Sequence, residues 1–168
     1  MKNWYVIYTK PRSEKKTAEL LEREGFEVYC PVQKQLRQWS DRKKWVDMVV
    51  IPSYVFVKCE EKARHQVLQT PGAMNFVYWL KKPAVVRDEE MIALQHFLDN
   101  HHEDKIEVVS IRPGMTIEIE SGALGGKSGK VVSVNKKQAR VEIEGLGIAL
   151  IANVKRSNIR PSKTSTTE

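Results

Sequence analysis

Gly126-Lys127-Ser128 is the first place in this 168-residue chain where residue types suggest chemistry. Loops of the form GxxxxGK[ST] wrap their backbone amides around phosphates. That pattern requires glycine at position 121, which is Ser121, and it must open into a helix, whereas Lys130–Val134 reads as a strand. A nucleotide-binding loop is excluded on both counts, and the glycines fit tight barrel turns instead. His96, His101, His102 and Glu103 carry metal-ligating atoms, but their spacing matches no zinc pattern and no second cluster accompanies them. Exposed histidines at a frayed helix end are the simpler reading, so no metal is expected. The two cysteines, Cys30 and Cys59, have no close pairing, which fits a reducing compartment and excludes a disulfide scaffold. No serine with a plausible base, no Cys–His pair and no acid–base carboxylate pair can be singled out. The sequence predicts a protein that is not an enzyme and uses no cofactor.

What the residues do offer is cationic and aromatic surface. Twenty-eight Lys and Arg against 21 Asp and Glu give a formal charge of +7, with 41% hydrophobic and 29% charged residues. That balance belongs to a globular protein with polyanionic partners rather than to a disordered chain. The excess is uneven: residues 105–168 carry +5 and no Asp at all. A second concentration lies at Lys34, Arg37, Arg42, Lys43 and Lys44, where Asp41 is the sole acid and the segment reaches +4. Such a spot suits phosphate contact through counterion release, although a charged, solvated hairpin would have the same composition. Trp39 sits inside this charge and could stack on a base; Trp39 and Trp45 could equally be cross-strand partners.

Positioning these residues requires a particular set of elements. Trp4–Thr9 is aromatic and β-branched and predicts a buried strand, stopped at Pro11. Ser13 can cap a helix to Glu24 with Ala18 and Leu21 inward, Leu20 beside them and Gly25 as its stop. Phe26–Pro31 predicts a short strand, Leu36–Trp45 a basic hairpin turning at Ser40-Asp41, and Met48–Ile51 and Tyr54–Cys59 apolar strands broken at Pro52-Ser53. Glu60-Glu61 should open a helix with Ala63 and Val67 inward, ending at Thr70-Pro71-Gly72. Phe76–Leu80 reads as one strand, Lys81-Lys82-Pro83 as a break, and Asp88-Glu89-Glu90 as the start of a helix facing the core through Met91, Leu94 and Leu98. After a mixed-charge stretch at 100–110, a linker or an early strand, the pattern becomes period-two. Met115, Ile117 and Ile119 alternate with polar residues, and so do Ala139, Val141 and Ile143. Val131–Val134 and Ile148–Ile151 add strands, with Val154 and Ile159 closing a small barrel. The expected fold class is α+β: a sandwich over residues 1–104, a β-barrel over 105–161 and a disordered tail over 162–168.

The longest uncharged apolar run, Met48–Val57, is far below the roughly 20 residues a spanning helix needs. The N-terminus also lacks the apolar core of a secretory signal. A soluble, cytoplasmic protein with no membrane partner is expected.

The segments WYVIYTKPRSE, IPSYVFV, TPGAMNFV and RPGMTIEIESGALGGKSGKVV, in that order, resemble NusG-family transcription elongation factors. The resemblance runs from Trp4 to about Pro161 and implies an NGN domain, an α/β sandwich, followed by a KOW domain, a small SH3-like β-barrel. The segment LRQWSDRKKWVDMVVIPSYVFV resembles most the specialised RfaH-like and UpxY-type paralogues that antiterminate long polysaccharide operons. The implied function is to bind RNA polymerase and suppress pausing and termination. Two alternatives stand beside it: a general NusG elongation and termination factor, and a KOW-type RNA- or ribosome-binding protein.

In that family the NGN domain docks on the clamp helices of the largest polymerase subunit through an aromatic depression. The matching positions are Tyr8, Tyr54 and Phe56, with Ile51 and Pro52 entering the same strand. Tyr54 and Phe56 share one strand face and Val55 and Val57 the other, and either pair could be outward. RfaH-like members also touch non-template DNA with basic residues, here Lys10, Arg12, Arg37, Arg42, Lys43 and Lys44, with Trp39 among them. The KOW domain implies a ribosomal protein, termination factor or RNA as second partner, and its clean alternation predicts a stable barrel rather than a fold switch. Three positions depart from the pattern. Gln66 and Val67 follow His65 where RfaH has threonines, and Ser53 stands where many relatives have glycine.

Overall fold

The computed structural model describes residues 1–102, 104–110 and 138–153. Strand β1 (Lys2–Thr9) leads through Pro11 to helix α1 (Glu14–Arg23), which Gly25 terminates in the left-handed conformation, φ +92°. Strands β2 (Glu27–Tyr29), β3 (Val32–Gln38) and β4 (Lys43–Val49) follow, then β5 (Tyr54–Glu60). The helix expected from Glu60-Glu61 divides into a 3₁₀ turn, Glu61–Ala63, and a short α2 (Arg64–Leu68) that buries Val67. After it come β6 (Ala73–Phe76), β7 (Tyr78–Trp79), β8 (Lys82–Pro83), β9 (Val85–Val86) and α3 (Asp88–Asn100). The C-terminal part contributes β10 (Lys105–Ser110), β11 (Gln138–Ile143), a 3₁₀ turn at Glu144–Leu146, and β12 (Ile148–Asn153).

The central sheet runs β2-β5-β1-β6, with β9 also pairing β1, and its pairs are antiparallel. One face carries Tyr5, Ile7, Val55, Val57 and Phe76 against Ala18 and Leu21 of α1 and Val67 of α2. The other carries Trp4, Val6 and Phe56 against Met91, Leu94, Phe97 and Leu98 of α3. A sheet apolar on both faces needs a layer on each side, and the three helices supply them.

Two expectations around Phe76–Pro83 are corrected. The strand predicted over Phe76–Leu80 is interrupted at Val77, whose N–H turns to Val6 O at 2.8 Å while its carbonyl accepts from Ala84 N–H at 2.8 Å. Lys81-Lys82-Pro83 is no break: β7 and β8 pair antiparallel around Leu80 and Lys81, both at positive φ, 50° and 65°. That is the backbone of a tight hairpin turn, made without the Gly or Asn that normally advertises one.

The C-terminal strands form an antiparallel sheet ordered β10-β12-β11, so the stretch at 100–110 supplies a strand. The expected strands at 115–120 and 131–134, the Gly126-Lys127-Ser128 loop, Val154, Ile159 and the tail lie outside the described residues. Val141, Ile143, Leu146, Ile148, Leu150 and Ala152 join the same hydrophobic cluster as α3 and the central sheet. A polar clasp reinforces the contact. Glu90 is buried; its carboxylate accepts Arg87 N–H at 2.9 Å, capping α3, and also Glu144 N–H at 2.9 Å. Arg87 reaches both Glu90 (3.3 Å) and Glu144 (3.5 Å). Gly147 lies flat beneath Trp79, where a Cβ would sit 2.3 Å from the indole.

Candidate functional site

At the end of the central sheet, register aligns Tyr54 of β5, Tyr8 of β1 and Asn75 of β6 in one row across three strands. The two tyrosine rings meet edge to face, with centroids 5.1 Å apart at 75°, and the Tyr54 hydroxyl donates to that of Tyr8 at 3.3 Å. Such ring pairs contribute about 0.5–1.5 kcal/mol beyond the area they bury. Burial first, and then the bond to Tyr8, hold the Tyr54 phenol above its ordinary titration range, so it stays neutral at physiological pH. Tyr8 keeps 40% of its surface exposed and Tyr54 is half-buried.

The turn before β5 fixes this pair. Ser53 has φ +63°, its N–H donates to Glu14 Oε1 at 2.8 Å, and its carbonyl accepts Thr9 N–H at 2.9 Å. That left-handed backbone is one that glycine adopts without steric cost and serine does not. Glu14 is buried at the start of α1, so one carboxylate ties that helix to the strand carrying Tyr54. Pro52 is exposed at the bend.

Two residues expected in the docking surface are not on it. Ile51 and Phe56 are buried, Phe56 completely, in the cluster beneath α3. Tyr54 and Phe56 do share a strand face, but Phe56 is fully buried in the cluster with α3, whereas Tyr54 packs against that cluster and stays half-buried. Ile51 and Phe56 belong to the buried cluster against which Tyr54 packs. Asn75 and the exposed Met74 flank the patch; the sequence reading passed over both, and only the register of β6 against β1 draws them in.

The basic residues fall in two groups. Lys10 and Arg12 are exposed on the loop leaving β1, next to Tyr8, with Arg12 at φ +64°. Arg37, Trp39, Arg42, Lys43 and Lys44 are exposed on the β3–β4 hairpin, whose turn closes through Trp39 N–H to Arg42 O at 2.8 Å. Trp39 and Trp45 are not cross-strand partners; Leu36 faces Trp45, Arg37 faces Lys44 and Gln38 faces Lys43. The hairpin is anchored at its base, where Gln33 Nε2 donates to His101 O at 3.0 Å and Asp104 O at 2.6 Å. His65, at the end of the exposed face of α2, lies against Gln69 at 3.0 Å.

His101 is held by Asp104 at 2.8 Å and His96 projects from α3, and among the described residues no three potential ligands converge on one point. No helix among them is long and apolar enough to cross a membrane.

The chain thus combines an α/β sandwich bearing a partly exposed tyrosine pair at one sheet end, an exposed basic hairpin and a C-terminal β-sheet. The family model "Transcription termination factor nusG" matches residues 2–95, more than half of the chain. The chain belongs to the NusG family of transcription termination and antitermination factors, which are not enzymes. It is 27% identical over 155 residues to the transcription termination/antitermination protein NusG of Pseudomonas aeruginosa, covering 84% of this chain and 87% of that one. The namesake from Halalkalibacterium halodurans is 24% identical over 162 residues, covering 87% and 90%. Among solved structures, one on domain interaction in Thermotoga maritima NusG aligns over 92% of this chain and 94% of its own, with 24% identity and a TM-score of 0.44. The MjSpt4:Spt5 complex aligns over 90% of this chain and 93% of its own, with 19% identity and a TM-score of 0.34.

Proposed function

We propose that this protein binds transcribing RNA polymerase and suppresses pausing and termination. The observation that carries the reading is the edge-to-face Tyr8–Tyr54 pair, partly exposed at the end of the central sheet. Aromatic anchors of this kind concentrate binding energy because they desolvate large areas at little entropic cost. In this reading Tyr8, Tyr54 and Pro52 meet the clamp helices of the largest subunit, and Ile51 and Phe56 support them from below. Lys10 and Arg12 border the contact, and the hairpin residues Arg37, Trp39, Arg42, Lys43 and Lys44 face the non-template strand. Residues 1–104 thus carry polymerase binding, and 105–161 recruit a ribosomal protein, termination factor or RNA, all in the cytoplasm. Suppressing a pause requires tighter binding to the closed, elongating polymerase than to the paused one, since only differential affinity shifts a population.

The narrower assignment, service at long polysaccharide operons, rests on the likeness of residues 36–57 to RfaH-like and UpxY-type relatives. Genome-wide occupancy separates it from a general role: a few long operons favour the specialised reading, and most transcribed genes the general one. Transcription in vitro through a pause site and a terminator tests the activity itself. Wild-type protein should raise read-through, and Tyr8→Ala with Tyr54→Ala should remove the gain. Unchanged read-through on adding the wild-type protein would contradict the proposal.

A further inference from the structure

Strands β3 and β4 form a sheet of two, so each has a side with no neighbouring strand. In an antiparallel pair, about half of the backbone N–H and C=O groups point away from the partner. Among the described residues, the backbone of Lys34, Gln35 and Leu36 pairs with β4 alone. Water satisfies such groups, but an exposed edge is also a template for another strand.

A cleft of about 690 Å³ lies along this edge. One wall is Gln33, Lys34, Gln35 and Leu36; the other is His102, Asp104 and Lys105, where the chain passes from α3 into β10. Successive β3 residues point to opposite faces of the ribbon. Met48, Asp47 and Val46, which face Gln33, Lys34 and Gln35 across the ladder, are not in the lining. A hollow on one face would take alternate residues from both strands. This one takes consecutive residues from β3, so it follows the edge with β4 behind it. Its base is closed where Gln33 Nε2 donates to His101 O and Asp104 O. Toward the tip it is flanked by Leu36, 50% exposed, and by its cross-strand partner Trp45, 62% exposed.

We infer that this slot takes an extended, acidic segment of a partner protein, which adds a strand to the free edge of β3. Four residues of strand span about 14 Å, room for a short main-chain ladder. An apolar side chain of the segment seats on Trp45 and Leu36, and its carboxylates meet Lys34 and Lys105. Both lysines are exposed and loosely held: among the described residues no carboxylate pairs with Lys34, although Asp47 faces it across the ladder, and Lys105 Nζ is 3.8 Å from Glu107. A second copy of this chain fits poorly. Strand β3 carries Lys34 and Arg37 and no acid, so two such edges would bring like charges together. A polynucleotide fits poorly too, because its phosphates would meet edge carbonyls and Asp104. One Asp104 oxygen meets His101 at 2.8 Å, and the other, Oδ1, is buried with no hydrogen-bond partner. Edge carbonyls and a spare carboxylate oxygen call for N–H donors, which a peptide backbone supplies. Polymerase docking by Tyr8 and Tyr54 plays no part in this contact.

The probe is a synthetic peptide of about eight residues alternating valine and glutamate, long enough to cover the edge with a residue or two to spare at each end. It is titrated into the full-length, isotope-labelled protein without polymerase, and backbone amide signals are followed by NMR. The amides of Lys34, Gln35, Leu36 and Lys105 should shift, with a dissociation constant of about 1 mM or tighter. The same peptide N-methylated at alternate residues has lost its ladder donors and should bind at least about tenfold more weakly. A version with lysine in place of glutamate should also bind more weakly. Lys34→Ala with Lys105→Ala should reduce affinity for the glutamate peptide at least about threefold, the scale of two exposed ion pairs. Circular dichroism verifies that this variant is folded. No shift at these amides, or equal affinity for the N-methylated or the lysine peptide, would overturn the inference. Shifts at the same amides on raising the protein concentration, but not on adding peptide, would overturn it in favour of a second copy. Shifts produced only by a single-stranded DNA of about twelve nucleotides would overturn it in favour of nucleic acid.

Discussion

Tyr8, Tyr54 and Phe56 look alike in the sequence and do different work in the structure. Spacing of two along a strand correctly puts Tyr54 and Phe56 on one face. Whether a face is covered depends on where α3 lies, and that is tertiary information no local pattern carries. Phe56 lies under α3, so Phe56→Ala should cost about 3–5 kcal/mol of stability in a chemical unfolding titration. Tyr8→Ala loses the edge-to-face contact with Tyr54 but at a partly exposed position, and should cost less, about 1–2 kcal/mol. Cys30 offers a separate check. Burial, and secondarily the nearby Glu14 carboxylate, push its thiol from 9.0 up to about 11. A raised folded pKa means the native state holds the proton more tightly than the unfolded chain. The associated stability is therefore complete below pH about 9 and is lost as the pH climbs through about 11. Iodoacetamide should label Cys30 in the native protein at pH 8 much more slowly than after unfolding.

At the level of elements, β1, α1, β5 and α3 were legible because their apolar residues repeat at strand or helix period and their ends carry Pro, Gly or acidic signals. The hairpin of β7 and β8 was not, since Leu80 and Lys81 occupy positive φ without the residue types that reveal it. Glu90 was equally hidden. It reads as one of three acids favourable to a helix start, yet it is buried and serves both its own helix and the 3₁₀ turn before β12. Glu90→Ala should therefore destabilise the protein by more than loss of a cap alone, about 2 kcal/mol or more, because Glu144 N–H and Arg87 lose their shared partner. Gly147→Ala should be worse: the added methyl meets the Trp79 indole, and φ +61° disfavours any side chain. A drop in the thermal midpoint for both variants, larger for Gly147→Ala, is the expected result.

Across the whole molecule, one continuous hydrophobic cluster joins the central sheet, α3 and the C-terminal sheet. The change from helix-bearing to period-two sequence marks where one style of structure gives way to another. It cannot say that Val141, Ile143 and Leu150 will pack on α3, because complementarity between two distant segments leaves no local trace. The formal charge of +7 likewise announces polyanionic partners without saying where they bind; among the described residues, two exposed basic concentrations are the hairpin and the Lys10–Arg12 loop beside Tyr8. The account as a whole requires that the aromatic row at the sheet end be the polymerase contact. Capture of RNA polymerase from solution by immobilised wild type and by folded Tyr8→Ala/Tyr54→Ala protein tests that requirement directly. The account predicts strong capture by the wild type and at least about a tenfold loss for the double variant, the scale of a two-residue hot spot. Equal capture by both would contradict it.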